Sequence, residues 1–189
     1  MERKLKVAHF GAFDHDSYGD LIMPNIIEHF CPDVEFIHVA KSNEKTPWPD
    51  AKKIISVEQA FRITDWDGIV VGGGDIIQYT SLNFGTSSFG LPSVWLGASL
   101  FAAKLGIPCI WNSPGVPNEL PHSYKSIIQS GLKSVDHLAV RDNFSFSRLC
   151  KFNVTNVSVV PDSAMLISEV WPFSKITTSD ARPIVMALT

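Results

Sequence analysis

Five short stretches of this chain gather the residue types that do chemistry, and each follows an apolar, strand-like run. The first spans residues 11–20, from Gly11 through Asp14, His15, Asp16, Ser17 and Gly19 to Asp20. His15 is a candidate general acid or base, because an unperturbed imidazole titrates near neutrality. Asp14, His15 and Asp16 are metal donors by type, but three adjacent side chains on a loop rarely converge on one ion, so a solvated loop is the plainer reading. Backbone N–H groups of Gly19, Asp20 and Leu21 could hold an anion at a helix start. Asp20 would oppose an anion if it faced the site, and it also suits a helix N-cap. The second stretch is Gly72, Gly73, Gly74, Asp75, Ile76, Ile77 and Gln78. Three glycines closing a buried strand allow another group to approach the backbone closely. The spacing is neither the dinucleotide fingerprint nor a P-loop. The third is a turn of small residues that includes Ser113 and Gly115. The fourth, Arg141-Asp142, could clamp an anionic ligand or pair internally. In the fifth, Asp162 is a cap residue or a carboxylate for ligand hydroxyls. There is no nucleophile elbow and no Cys/His pair at an informative spacing.

These stretches can cooperate only if one sheet brings them to one edge. Apolar or alternating runs predict strands at residues 6–10, 34–39, 54–55, 69–71, 107–111, 137–140 and 157–160. Helical spacing predicts helices at 20–30, 57–63, 92–105, 123–135 and 144–152, with a short apolar turn at 165–168. Pro24 then falls in the first turn of its helix, where it is tolerated. Ser56 and Gln59 have capping-box spacing. Residues 42–50 and 79–90 read as loops. The alternation predicts an α/β fold with a doubly wound parallel sheet. In such sheets ligands bind outside the carboxyl ends of the strands, where all five stretches lie. His9 alternates with Val7 and reads as a satisfied core histidine. Residues 1–176 are expected to form one domain. Residues 177–189 read as a linker and the first strand, 183–188, of a second domain cut off there.

At 189 residues, 45% of them hydrophobic, the chain can bury a full core. A formal net charge of -3 with no basic patch argues against a nucleic-acid partner. No apolar run is long enough for a bilayer span. The N-terminal residues lack a signal-peptide pattern. The expectation is a soluble cytoplasmic protein without an integral membrane segment. Cys31, Cys109 and Cys150 show no metal spacing, so buried, reduced thiols are expected.

In order, four pieces resemble the polysaccharide pyruvyl transferase family. They are residues 10–13 with Gly19-Asp20-Leu21; Val71-Gly72-Gly73-Gly74-Asp75-Ile76-Ile77-Gln78; Ser113-Pro114-Gly115-Val116-Pro117; and Val140-Arg141-Asp142-x-x-Ser145 with Val160-Pro161-Asp162-Ser163-Ala164 downstream. The last pair is the most specific. The first loop is more acidic than the family's, Tyr79 stands where an acidic residue is common, and the turn at Gly115 lacks a second glycine. The resemblance implies the Rossmann-like N-terminal half of a GT-B-like, two-domain enzyme. Its activity would be transfer of a pyruvyl ketal from phosphoenolpyruvate to a sugar of a cell-surface glycan or its precursor, as in exopolysaccharide biosynthesis. No cofactor or metal is implied beyond the donor substrate. A second domain of the same chain, or a homo-oligomer, would complete the cleft. His15 and Asp75 are the expected proton-transfer residues. Gly11, Asp16, Gly19, Asp20, Gly72, Gly73, Gly74, Gln78, Ser113, Gly115, Arg141 and Asp162 are the expected substrate-binding residues. The alternatives are a nucleotide-sugar-dependent glycosyltransferase of the same fold and a non-catalytic α/β ligand-binding module.

Overall fold

Runs such as Ile69-Val70-Val71 are apolar on both sides, and only a parallel sheet covered on both faces satisfies them. The computed structural model describes residues 3–15, 17–42, 51–78 and 92–172. Asp16, most of the 42–50 and 79–90 loops, and the predicted linker and strand at 177–189 lie outside the described residues. Seven strands form one sheet: β1 (Leu5–Phe10), β2 (Val34–Ala40), β3 (Ile54–Ser56), β4 (Gly68–Gly72), β5 (Cys109–Asn112), β6 (His137–Val140) and β7 (Val157–Val159). Their order is β3-β2-β1-β4-β5-β6-β7, and every neighbouring pair is parallel. The chain moves one way from β1 to β3 and the other way from β4 to β7. This makes a doubly wound, Rossmann-like sheet with its switch point between β1 and β4.

The helices are α1 (Tyr18–Phe30), α2 (Val57–Ala60), α3 (Ala98–Leu105), α4 (Lys125–Lys133), α5 (Asn143–Cys150) and α6 (Ile167–Val170). A π-helical turn at Ser93–Gly97 leads into α3, and a 3₁₀ turn at Ser163–Leu166 leads into α6. The capping box of Ser56 and Gln59 forms, but α2 stops at Ala60, short of the expected 63.

The start of α1 differs from expectation. Ser17, with extended backbone, is its N-cap, and Asp20 lies in its first turn. Pro24 is therefore in the helix interior. It has no N–H for the carbonyl of Asp20, four residues back.

One face of the sheet carries most of the core. Phe10, Val71, Trp111 and Val140 point there with Trp95, Leu132 and Leu149, all buried. The α1 face holds a smaller cluster of Phe13, Met23 and Ala40. His9 and His38 are paired across β1 and β2 and are both buried. Their Nδ1 atoms lie 3.1 Å apart, and His38 Nε2 lies 2.9 Å from Glu28 Oε1. Burial pushes His9 well below the usual imidazole range and lowers His38, although Glu28 partly opposes the shift at His38. His9 is a core histidine as expected, but it is not satisfied. Its Nε2 has no hydrogen-bond partner among the described residues.

Candidate active site

At the carboxyl edge of the sheet, α1 begins directly over the loop that leaves β4. The two meet because Gly74 has no side chain. A Cβ there would stand 2.0 Å from Asp20 Oδ1, and the backbone has φ +64°, which a side chain would strain. The loops after β6 and β7 close the other side. Ser17, Gly19, Asp20, Met23, Gly74, Asp75, Arg141, Asp162 and Ala164 thus line a cavity of about 250 Å³. It reaches across the switch point, where doubly wound sheets hold their ligands.

Arg141 organises its charges. Its Nη2 is 2.6 Å from Asp75 Oδ1, its Nε 3.3 Å from Asp142 Oδ2, and its Nη1 3.9 Å from Asp162 Oδ2. Burial works against the charged guanidinium, but Asp75, Asp142 and Asp162 together raise its pKa above the ordinary value. The internal-pairing reading of Arg141-Asp142 is therefore the one the geometry realises. Asp142 also caps α5, accepting the Ser145 N–H at 2.7 Å. Its partial burial opposes ionisation, yet Ser145 and Arg141 hold its carboxyl below the usual range. Asp162 caps the 3₁₀ turn through Oδ1, which accepts the Ala164 N–H at 2.9 Å. Oδ2 is left facing Arg141.

Asp20 differs from these carboxylates. Among the described residues no cation pairs with it. Burial raises its pKa; Ser17 and His15 pull the other way, while Asp162 and Asp75 add to the rise. Two of the three N–H groups expected to hold an anion at the start of α1 are already engaged. The N–H groups of Asp20 and Leu21 both go to the Ser17 carbonyl at 3.1 Å, and Asp20 itself faces the cavity.

The turn at residues 113–117 is the floor behind Arg141. Gly115 donates to the Gly74 carbonyl at 2.9 Å and accepts from the Ile77 N–H at 3.1 Å. The Val116 N–H donates to Ser145 Oγ at 2.9 Å, and Arg148 donates to the Val116 carbonyl. A Cβ on Gly115 would meet Asp75 Oδ1 at 2.2 Å and Arg141 Nε at 2.7 Å, so this glycine lets the ion pair sit against the backbone.

Residues 18–186 match the family model for polysaccharide pyruvyl transferase. The chain belongs to this family. No curated protein matches it. No helix among the described residues is long and apolar enough to cross a membrane.

In this pyruvyl transferase family member the sheet brings together six of the residues singled out from sequence: Gly19, Asp20, Gly74, Asp75, Arg141 and Asp162. Gly11, Gly72, Gly73 and Gly115 are buried immediately behind them. The remaining candidates sit elsewhere. His15 is exposed on its loop and does not line the cavity. Gln78 turns back, donating from Nε2 to the Asp75 carbonyl at 2.6 Å. Ser113 is buried at φ +55°, its hydroxyl without a partner among the described residues. Asp16 lies outside the described residues. Asp14 is tied to the segment just after β2 through Ser42, whose N–H and hydroxyl donate to Oδ2 at 2.9 and 3.0 Å. Ser17, Met23 and Ala164 line the cavity although none was among the expected site residues. Ser17 had a usable signal, being a good cap residue before an apolar helix.

Proposed function

We propose that this cavity is the acceptor-hydroxyl side of a pyruvyl transferase that uses phosphoenolpyruvate as donor and a sugar of a cell-surface glycan or its precursor as acceptor. The observation that carries the reading is the charge balance at the sheet edge. One guanidinium faces Asp75, Asp142 and Asp162 within 4 Å, and Asp20 shares the cavity. Carboxylate oxygens accept hydrogen bonds and donate none when ionised, which suits a ligand rich in hydroxyls. A trianionic donor would be repelled by the same set. The donor's phosphate and carboxylate need cations beyond Arg141, and no other lines the cavity among the described residues, so the donor would approach from the open side. Arg141, neutralised three ways, fixes the carboxylates in place. A phosphoenolpyruvate donor would put the reaction in the cytoplasm, where the acceptor is still a precursor.

The test is to incubate the protein with phosphoenolpyruvate and a panel of glycans or lipid- and nucleotide-linked sugars. Released phosphate and the mass of the product are then followed. Phosphate release that needs both substrates, with an acid-labile ketal on the sugar, supports the proposal. Consumption of a nucleotide-sugar with no use of phosphoenolpyruvate would overturn it in favour of a glycosyltransferase.

A further inference from the structure

We infer that Asp20, rather than Asp75 or His15, is the group that takes the proton from the acceptor hydroxyl during transfer. The inference rests on the function proposed above and assigns the base within that cavity. Asp75 is bound at 2.6 Å to Arg141 and has its carboxylate pressed against Gly115. Its Oδ1 is buried between the guanidinium and the Gly115 backbone and is not presented to a ligand hydroxyl. His15 is exposed and lies off the cavity wall. Asp20 lines the cavity, is fixed at its place by the first turn of α1 and the surface of Gly74, and pairs with no cation among the described residues.

The groups around it are His15 on its own loop, Ser17 at the helix cap, Asp75 after β4, Asp162 after β7, and Arg141 after β6. Burial and the two neighbouring aspartates raise its pKa toward the working pH, which improves a general base. Asp20 accepts the hydroxyl proton as the hydroxyl oxygen bonds to C2 of the enolpyruvyl unit. The C2=C3 electron pair takes up a solvent proton at C3. A second hydroxyl then bonds to C2 as the C2–O bond to phosphate breaks. Two hydroxyl protons leave and two are taken up, one by C3 and one by phosphate, and nothing is oxidised or reduced.

The experiment is the pH profile of kcat/KM for the parent protein, Asp20→Asn and Ser17→Ala, each checked by circular dichroism. The parent should show an acid limb above the ordinary carboxylate range. Asp20→Asn should lower kcat by about 10²–10⁴-fold, with acceptor KM little changed, and should erase the limb. Ser17→Ala removes the hydroxyl that favours the Asp20 anion, so the limb should move to higher pH. This arm decides the matter if the asparagine variant folds poorly. An Asp20→Asn protein with parental kcat and limb, or a Ser17→Ala limb that does not move, overturns the assignment. A parent protein that releases no phosphate from phosphoenolpyruvate with any acceptor overturns the underlying reading, and the assignment falls with it.

Discussion

Replacing Gly115 by alanine should damage the site far more than the fold. The backbone there does not have a positive φ, so alanine brings no conformational strain. The added Cβ, however, would stand 2.2 Å from Asp75 Oδ1, 2.7 Å from Arg141 Nε and 2.9 Å from Arg141 Cζ. Ordinary non-bonded separations are about 3.5 Å or more, so the carboxylate must retreat by about 1 Å. The ion pair, now at 2.6 Å between side chains 30% and 41% exposed, cannot survive that shift. A pair this exposed is worth only about 0–1 kcal/mol. For a chain of this size that lowers Tm by about 2–4 °C per kcal/mol lost. A 1 Å misplacement in an active site, in contrast, costs about 10²-fold in rate. Calorimetry and phosphate-release kinetics on the same preparation should therefore diverge, with Tm nearly held and kcat/KM down by about two orders of magnitude. Parental activity in Gly115→Ala would refute the claim that Asp75 and Arg141 form working machinery.

Ser145→Ala leaves the buried Val116 N–H without its acceptor. It should destabilise the protein by about 1–3 kcal/mol in urea titration. Because His9 and His38 are held below their unfolded pKa, the unfolded chain binds the extra proton first. Stability should be full above about pH 6.5 and fall as pH drops below it, by up to ~1.4 kcal/mol per pH unit for each uncharged imidazole. Denaturant melts from pH 7 to pH 5 check this, and a flat profile contradicts it. Burial pushes the Cys109 thiol up to about 12. A thiol reagent at pH 8 should therefore label the partly exposed Cys31 and Cys150 and spare Cys109 until the protein unfolds, as read by peptide mass spectrometry.

The sheet was legible because its strands are short apolar or alternating runs whose ends carry glycine or aspartate. Ile69-Val70-Val71 before three glycines, and His137-Leu138-Ala139-Val140 before Arg141, announce both a buried strand and its binding edge. The start of α1 was not, because Ser17 and Asp20 are both good caps three residues apart and only the extended backbone at Ser17 decides between them. Two cavity residues were hidden for different reasons. Met23 belongs to the apolar helical pattern and reads as core, and Ala164 carries no chemistry. They come together because the 3₁₀ turn packs on α1, with the Ser163 hydroxyl 3.2 Å from Met23 Sδ across 140 residues of chain. Gln78 shows what position in the sequence leaves open. Its polar type and strand-edge position suggest a ligand contact, but its amide is turned back to the Asp75 carbonyl. At His9, alternation locates the ring in the interior but says nothing about which nitrogen finds a partner.

The claim that this cavity holds the acceptor is tested most directly by Asp162→Asn in the phosphate-release assay, with each substrate varied in turn. Asparagine can still cap the 3₁₀ turn through its side-chain oxygen, so the fold is kept while the anionic acceptor of hydrogen bonds is lost. A hydrogen bond to a charged group is worth about 1.5–3 kcal/mol, so acceptor KM should rise by about tenfold or more with the KM for phosphoenolpyruvate unchanged. A rise in the KM for phosphoenolpyruvate with acceptor KM unchanged would put the donor, not the acceptor, at this edge of the sheet.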